Sequence, residues 1–282
     1  MYFAPIICLA LAAAAPTKRS NTCDFPSDKG LVSITPKSLN AGWAMSPDAK
    51  CTAGMYCPYA CPPGQLMNQW DKSATSYTYP QSQNGGLYCN DDGSVSAPFD
   101  RDYCVDGTGT VKVDNKASKN VAFCQTVLPG DEAMLIPTNV DGGNSQTLAV
   151  PDENYWASTS AHYYINSLGI STDDACTWGS SNKAIGNWAP YVAGANMDSN
   201  GDTFVKIGWN PKYIESFSDL PSFGIRITCD DGDCDGLKCE IDPSSNGLNE
   251  VNSDNVSKGD GASYCVVTAK NKATAKIEVF SV

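Results

Sequence analysis

The stretch that decides the fold is Cys51 to Asp71, CTAGMYCPYACPPGQLMNQWD, closed by GGLYC at residues 85–89. Three cysteines lie within its first eleven residues, and two of them, Cys57 and Cys61, precede proline. Proline removes backbone donors and glycine permits tight turns, so this stretch can form neither a helix nor a long strand. We expect a set of turns held together by disulfides, with Trp70 available to pack or to be displayed.

The cysteine count indicates an oxidising compartment. The chain has 13 cysteines, and removal of Cys8 with a signal peptide would leave twelve, an even number that allows up to six disulfides. These are Cys23, Cys51, Cys57, Cys61, Cys89, Cys104, Cys124, Cys176, Cys229, Cys234, Cys239 and Cys265. The sequence does not reveal how they pair. A single histidine and the lack of Cys-x2-Cys pairs predict no metal site.

The chain divides into three segments. Residues 6–15, IICLALAAAA, form a short apolar run that ends in small residues, which is typical of a secretory signal peptide and too short to cross a bilayer. A buried N-terminal helix is the alternative. Lys18-Arg19 offers a dibasic processing site. We predict a signal peptide and processed leader over 1–19, an N-terminal segment docked through Cys23 over 20–42, and a β domain over 43–282.

Charge excludes several classes of partner. Asp and Glu number 31 against 19 Lys and Arg, which gives a net charge of −12. Nucleic acid and anionic membrane surfaces are therefore disfavoured, since nothing concentrates positive charge. After the signal no other stretch is apolar enough to cross a membrane. An acidic surface suits solubility and a neutral substrate, and no cofactor is predicted.

From Trp43 onward, short apolar or alternating runs are separated by Gly, Asn, Asp and Pro, which is typical of an all-β sandwich or barrel. The predicted strands are Thr110–Val113, Val121–Cys124, Ala133–Ile136, Thr147–Val150, Thr203–Ile207, Gly224–Cys229, Ser263–Thr268 and Ala275–Phe280. The best helix candidate is Pro151 to Ser160. The expected fold class is mainly β, a disulfide-rich β-sandwich with cysteine-rich loops.

The pattern Cys-x5-Cys-x3-Cys followed by a distant cysteine, with CPYACPPG inside it, resembles the fungal SUN family of secreted cell-wall proteins. Similar stretches continue through most of the chain: NGGLYC, YCVDGTGTVKVDNKA, NVAFCQTVLPGDEAMLIPT, AHYYIN, CTWGSS, GNWAPYVAGAN, FVKIGWNP, CDGLKCEIDP and YCVVTA. The family is grouped with glycoside hydrolases, as family 132. The resemblance implies a wall protein that binds and hydrolyses or remodels β-1,3-glucan in wall biogenesis, septation and cell separation. A non-catalytic glucan-binding or structural module is the alternative.

A shorter resemblance concerns the order of a strand, Gly-aromatic-Asn-Pro and a cysteine loop. FVKIGWNP (Phe204 to Pro211) and GDCDGLKCEID (residues 232–242) look like the corresponding parts of thaumatin-like proteins. This implies a thaumatin-like β-sandwich whose cysteine-rich loops flank a cleft. In that alignment Asp202 falls at one of the family's cleft acids, while residues 187–195 carry no acid to match the other.

Four acids are candidates for glycoside hydrolysis, which normally needs a pair of carboxyl groups. Glu132 is followed by Ala-Met-Leu-Ile, where burial could raise its pKa and suit it as general acid. Asp202 or Asp198, beside the Asn200-Gly201 turn, suits the ionised partner. Asp106 lies in Val-Asp-Gly-Thr-Gly between two predicted strands. For all four the alternative is a turn-capping or surface acid.

Five aromatic residues beside Gly, Asn or Pro are candidates for stacking against sugar rings: Trp156, Trp178, Trp188, Tyr191 and Trp209. Their large apolar faces with polar tips suit a polar groove. Plain core packing is the alternative.

Four further features have mainly structural interpretations. Asp198 to Asp202 mimics the start of a calcium loop, but its sixth and twelfth positions do not fit, so a hairpin turn at Asn-Gly is predicted. The acids between 230 and 242 are read as a solvated disulfide loop. His162 is read as a packed strand histidine, because no Gly-x-Ser-x-Gly elbow supplies a nucleophile. Asn255-Val-Ser257 is a predicted glycosylation site.

Overall fold

The computed structural model describes residues 21–74, 85–126, 136–230 and 233–282. The predicted signal peptide, Glu132 and nearly all of the predicted strand Ala133–Ile136 lie outside these residues.

In chain order the strands are β1 (Tyr56–Cys57), β2 (Gln65–Met67), β3 (Leu87–Cys89), β4 (Val95–Ser96), β5 (Cys104–Asp106), β6 (Val111–Asn115), β7 (Val121–Gln125), β8 (Ile136–Val140), β9 (Ser145–Thr147), β10 (Ala161–Ile165), β11 (Tyr191–Met197), β12 (Thr203–Trp209), β13 (Phe223–Cys229), β14 (Cys234–Asp235), β15 (Cys239–Ile241), β16 (Asn252–Ser253), β17 (Ser257–Gly259), β18 (Ala262–Ala269) and β19 (Ala275–Ser281). The helices are α1 (Thr172–Ala175), α2 (Pro211–Ser216) and α3 (Pro243–Asn246), with 3-10 turns at Trp156–Ser158 and Gly186–Trp188. The described part of the chain is therefore mainly β, as predicted.

Two large sheets form a sandwich. One sheet has the order β14-β18-β12-β11-β10-β7-β8, with β17 added on β18, and the other has the order β16-β15-β13-β19-β6-β9. Side chains alternate along each strand, so every second residue of both sheets enters one shared core. Its fully buried members include Phe123, Tyr163, Trp209, Phe223 and Ile225.

A separate N-terminal unit, residues 21–74 and 85–106, packs beside the sandwich. Its strands β1 to β5 are only two or three residues long. It has a core of its own around Trp43, Tyr59 and Leu87. The Trp43 indole donates to the Cys23 carbonyl at 2.9 Å, which ties the start of the described chain to that core. The predicted set of turns is confirmed.

All twelve predicted cysteines are paired. The pairs are Cys23–Cys89, Cys51–Cys57, Cys61–Cys104, Cys124–Cys176, Cys229–Cys234 and Cys239–Cys265. The first three lie within the N-terminal unit, where so few residues form strands that cross-links replace ladder hydrogen bonds as the main restraint. Among the described residues, no helix has the length and apolar character needed to cross a membrane.

Most predicted strands are present, and two predictions need correction. The helix predicted from Pro151 to Ser160 is wrong, since only Trp156–Ser158 forms a 3-10 turn. The Asn154 backbone N–H donates to the Asp152 side chain at 2.9 Å, and such a local bond favours a turn over a helix. The strand predicted at Thr147–Val150 lies earlier, at Ser145–Thr147. The hairpin turn predicted at Asn200-Gly201 is confirmed, because β11 and β12 pair directly across it.

Candidate functional site

A cleft of about 370 Å³ lies where the N-terminal unit meets the sandwich, and we call it the junction cleft. The residues that line it come from both regions: Leu66, Trp70, Arg101 and Asp106 from the N-terminal unit, and Asp152, Tyr155, Met197 and Lys272 from the sandwich. Past Trp70 and Tyr155 it continues into an open depression of about 500 Å³. The two cavities adjoin each other at Trp70 and Tyr155, and the two aspartates line only the junction cleft.

Asp106 enters the junction cleft from the last position of β5. It pairs with Gln65 of β2, whose amide donates to the Asp106 carboxylate at 2.9 Å. The next residue, Gly107, lies so close to the sandwich that a Cβ there would come within 2.8 Å of the Val150 nitrogen. Only glycine fits this contact, so the backbone holds Asp106 at the boundary between the two regions.

Asp152 is the second acid of the junction cleft and is not among the acids predicted from the sequence. It lies in the loop after Val150, where its carboxylate accepts the Asn154 backbone N–H. Tyr155 of the same loop donates its hydroxyl to the Met67 carbonyl at 2.7 Å, which ties the loop to the N-terminal unit. The local signal, Pro-Asp-Glu-Asn, predicts a turn and carries no information about the cleft that the turn faces.

Trp70 and Arg101 form the cationic and aromatic wall of the cleft. The Arg101 guanidinium carbon lies 4.9 Å from the centre of a Trp70 ring and 5.1 Å from that of Phe99. Arg101 also donates to the Trp70 carbonyl. Its other terminal nitrogen and the Trp70 indole nitrogen are buried without a hydrogen-bond partner in the described structure. Unpaired buried donors are rare in proteins, and a functional role is one of the explanations for such donors.

Asp198 and Asp202 make the contacts expected of turn-capping acids. Asp198 accepts the backbone N–H groups of Asn200 and Asp202, both at 2.9 Å. The bond from Asp202 is the main reason that the pKa of Asp198 is held below its ordinary value. Asp202 accepts the Asn271 backbone N–H at 3.0 Å. Neither residue lines the junction cleft, whereas Asp106 does, and the catalytic roles assigned to Glu132, Asp198 and Asp202 stay predictions.

A second cavity of about 640 Å³ lies on the outer face of the eight-stranded sheet, and we call it the sheet-face groove. His162, Tyr164, Lys206 and Tyr264 rise from its floor, and α2 and the β17–β18 turn contribute Glu215 and Asp260. Burial, and then the nearby Lys206 charge, lowers the pKa of His162 to about 4. The imidazole is therefore uncharged in all but strongly acidic solution.

The predicted sugar-stacking aromatics divide into buried and accessible rings. Trp156, Tyr191 and Trp209 are almost completely buried, which matches the core-packing alternative. Tyr191 donates its hydroxyl to the Phe223 carbonyl at 2.8 Å, and its ring centre lies 4.9 Å from that of Trp209. Trp178 is 42 % exposed and Trp188 is half-buried, so these two remain accessible to a ligand.

The accessible tyrosines of the sheet-face groove, Tyr164 and Tyr264, were not among the candidates. Each follows a strand alternation in which Tyr163 and Cys265 point inward and their neighbours outward. Reading the period of two along AHYYI and SYCVV would have identified them. Asn255 is exposed between β16 and β17 and Ser257 is exposed at the start of β17, and glycosylation of this sequon stays a prediction. The one grouping of possible metal ligands in the described chain, Cys23, Cys51 and Cys89, consists of disulfide sulfurs.

The fold and its clefts define a disulfide-stabilised β-sandwich of the kind found in oxidising compartments. A family model described as "Beta-glucosidase (SUN family)" matches residues 18–267, and the chain belongs to this family. The resemblance read from the cysteine pattern is thus confirmed. No solved structure matches the chain, so the thaumatin-like assignment stays a prediction.

Three relatives illustrate the family. An uncharacterised protein of Saccharomyces cerevisiae is 61 % identical over 94 % of this chain and 77 % of its own length. The "Probable secreted beta-glucosidase adg3" of Schizosaccharomyces pombe is 52 % identical over 91 % of this chain but only 23 % of its own length. The "Probable secreted beta-glucosidase UTH1" of Saccharomyces cerevisiae is 35 % identical over 87 % of this chain and 66 % of its own. The chain thus spans only part of these relatives.

Proposed function

We propose that this protein is secreted and acts on the fungal cell wall, where it binds and hydrolyses or remodels β-1,3-glucan. The proposed roles are wall biogenesis, septation and cell separation. Relatives named "Probable secreted beta-glucosidase" support the reaction class, and six disulfides support an extracellular location. Residues 1–19 would be removed on secretion, and the mature protein would start near residue 20.

We place the proposed hydrolysis in the junction cleft because Asp106 and Asp152 both line it, next to the Trp70 ring. Glycoside hydrolysis uses two carboxyl groups that flank the scissile bond. One gives a proton to the departing glycosidic oxygen, and the other attacks the sugar carbon or activates a water. The open depression beyond Trp70 and Tyr155 leaves room for further sugar units next to the part of the cleft that the two acids line.

The test is substitution of the two cleft acids by their amides, Asp106→Asn and Asp152→Asn. New reducing ends released from soluble β-1,3-linked gluco-oligosaccharides would be measured. Each change keeps the shape but removes the proton-transfer or nucleophilic function, so hydrolysis should fall by roughly 10²–10⁴-fold. Asp141→Asn serves as control, since Asp141 is an exposed aspartate that lines neither cleft.

The competing assignment is tested in the same assay with Glu132→Gln and Asp202→Asn. If Glu132→Gln and Asp202→Asn lose hydrolysis while Asp106→Asn and Asp152→Asn hydrolyse at the wild-type rate, hydrolysis does not take place in the junction cleft. A wild-type protein that binds glucan and releases no reducing ends would establish a non-catalytic glucan-binding module instead.

A further inference from the structure

The outer face of the eight-stranded sheet carries a ligand-sized trough that the junction cleft does not account for. Its floor follows directly from the strand register. Tyr164 faces Val192, Val192 faces Gly208, and Gly208 faces Tyr264 across four consecutive strands. Three strand spacings separate the two tyrosines, which is about 14 Å and wider than a single hexose ring.

Two glycines, Gly194 and Gly208, add no side chains to the outer sheet face near the middle of this trough. In the neighbouring row His162 faces Gly194, which in turn faces Lys206. Gly208 is required for packing as well, because a Cβ there would lie 2.7 Å from the Cβ of Tyr264. Gly194 is under no such constraint, since the nearest atom to its Cβ would be the Ala161 carbonyl oxygen at 3.6 Å. Between the two rings the row holds only Val192 and Gly208, and in the neighbouring row Gly194 adds no side chain between His162 and Lys206.

The rings are held in place by their neighbours before any ligand binds. The Lys206 ammonium lies 3.9 Å from the centre of the Tyr264 ring. His162 and Tyr164 make an edge-to-face contact, with ring centres 4.8 Å apart. Tyr164 also packs against the Cys124–Cys176 region. Fixed rings lose little entropy on binding, which favours affinity.

The charges of the groove balance. Lys206 and Lys212 are matched by Glu215 and Asp260, and Lys212 pairs with Glu215 at 2.9 Å. Neither an anion nor a cation finds an excess of opposite charge there, although the whole protein carries a net charge of −12. Uncharged imidazole, amide and phenol groups offer hydrogen bonds to hydroxyl groups. This combination of flat rings, neutral polar groups and balanced charge fits a neutral polysaccharide.

We propose that the sheet-face groove binds a chain of neutral hexose units through stacking on Tyr164 and Tyr264, as a binding site separate from the junction cleft. The identity of the chain as β-1,3-glucan rests on the proposed function. The groove would hold the protein on insoluble wall polymer while the junction cleft acts on the polymer or on a neighbouring chain.

Co-sedimentation of the secreted full chain with insoluble β-1,3-glucan tests this proposal. The Tyr164→Ala/Tyr264→Ala double variant should bind at least about tenfold more weakly, because two stacking faces are lost. Tyr164→Phe/Tyr264→Phe keeps both rings and should bind within about threefold of wild type. Leu220→Ala, which truncates an exposed apolar side chain outside both clefts, should bind like wild type.

A second variant separates loss of binding from loss of folding in the Tyr164→Ala/Tyr264→Ala protein. Gly194→Leu fills the trough from a position where an added Cβ makes only ordinary contacts, so it should block binding while the thermal midpoint stays close to that of wild type. Wild-type sedimentation of both Gly194→Leu and the alanine double variant would overturn the proposal, as would loss of binding in Leu220→Ala alone. Hydrolysis of soluble oligosaccharides reports on the junction cleft independently, so failure of either proposal is recognisable without the other.

Discussion

The junction cleft and the sheet-face groove are built in opposite ways. The junction cleft is assembled from strand ends and loops of two regions that are distant in the chain, such as Asp106 and Asp152. The floor of the sheet-face groove consists of alternate residues on four strands that follow one another in a single ladder. Loops on a rigid scaffold commonly carry chemistry, while a regular sheet face offers a fixed platform. The difference places proposed cleavage at the first site and proposed adhesion at the second.

The two sites should respond differently to loss of a disulfide. Cys104 begins β5, the strand that ends at Asp106, and it is bonded to Cys61 across 43 residues. Cys61→Ser/Cys104→Ser should cost about 2–5 kcal/mol of unfolding free energy and reduce secretion. Hydrolysis should fall in the protein that is recovered, while binding through the sheet-face groove persists.

The matched control for that experiment is Cys229→Ser/Cys234→Ser, which opens a bridge across only five residues on the sandwich. The shorter loop restrains the unfolded chain less, so its loss should lower the thermal midpoint by less. Equal losses of stability and of hydrolysis in the two double variants would show that the N-terminal unit does not depend specially on its cross-links.

Acid should weaken the sandwich through the sheet-face groove. The pKa of His162 in the folded protein, about 4, is below its ordinary value of 6.5. Between these two pH values His162 is protonated in the unfolded chain but stays neutral in the folded protein. The contribution of His162 to the free energy of unfolding is therefore fully present above pH 6.5 and is lost as the pH falls to about 4. The loss should reach roughly 3 kcal/mol. Of the charged groups that line the groove, Lys206 opposes protonation of His162; the others are Lys212, Glu215 and Asp260.

Urea midpoints at pH 7 and pH 4 measure this effect, with His162→Gln as the comparison. The glutamine variant cannot take up the proton and should show a smaller decrease in midpoint than wild type. If both proteins lose the same stability between the two pH values, groups other than His162 are responsible, and the groove histidine is not held neutral by the fold.

Strand alternation explains which parts of these sites the sequence could predict. Runs such as Thr203–Ile207 and Ala275–Phe280 have a clear period of two, which predicts the strands observed there. The count of twelve cysteines allows up to six bridges, and six are present. The same period would have placed Tyr164 and Tyr264 outside and Tyr191 inside. The aromatic candidates were instead chosen for their neighbours Gly, Asn and Pro, and three of the five are core residues.

The junction cleft could not be predicted by any local pattern. Asp152 follows a proline in a polar turn, and its sequence context resembles that of many surface aspartates. Its meeting with Asp106 depends on how the N-terminal unit packs on the sandwich, including the close backbone approach at Gly107. For Asp198 and Asp202, in contrast, the local sequence was sufficient, because their position in a turn predicts the capping hydrogen bonds that they make.

If binding occurs at the sheet-face groove and cleavage at the junction cleft, two double variants should separate the two activities. Sedimentation with insoluble β-1,3-glucan and hydrolysis of a soluble β-1,3-linked oligosaccharide would be measured on two double variants, Tyr164→Ala/Tyr264→Ala and Asp106→Asn/Asp152→Asn. We expect the tyrosine variant to lose sedimentation and keep hydrolysis, and the aspartate variant to lose hydrolysis and keep sedimentation. Joint loss of both activities in two folded variants, or no loss in either, would contradict this expectation.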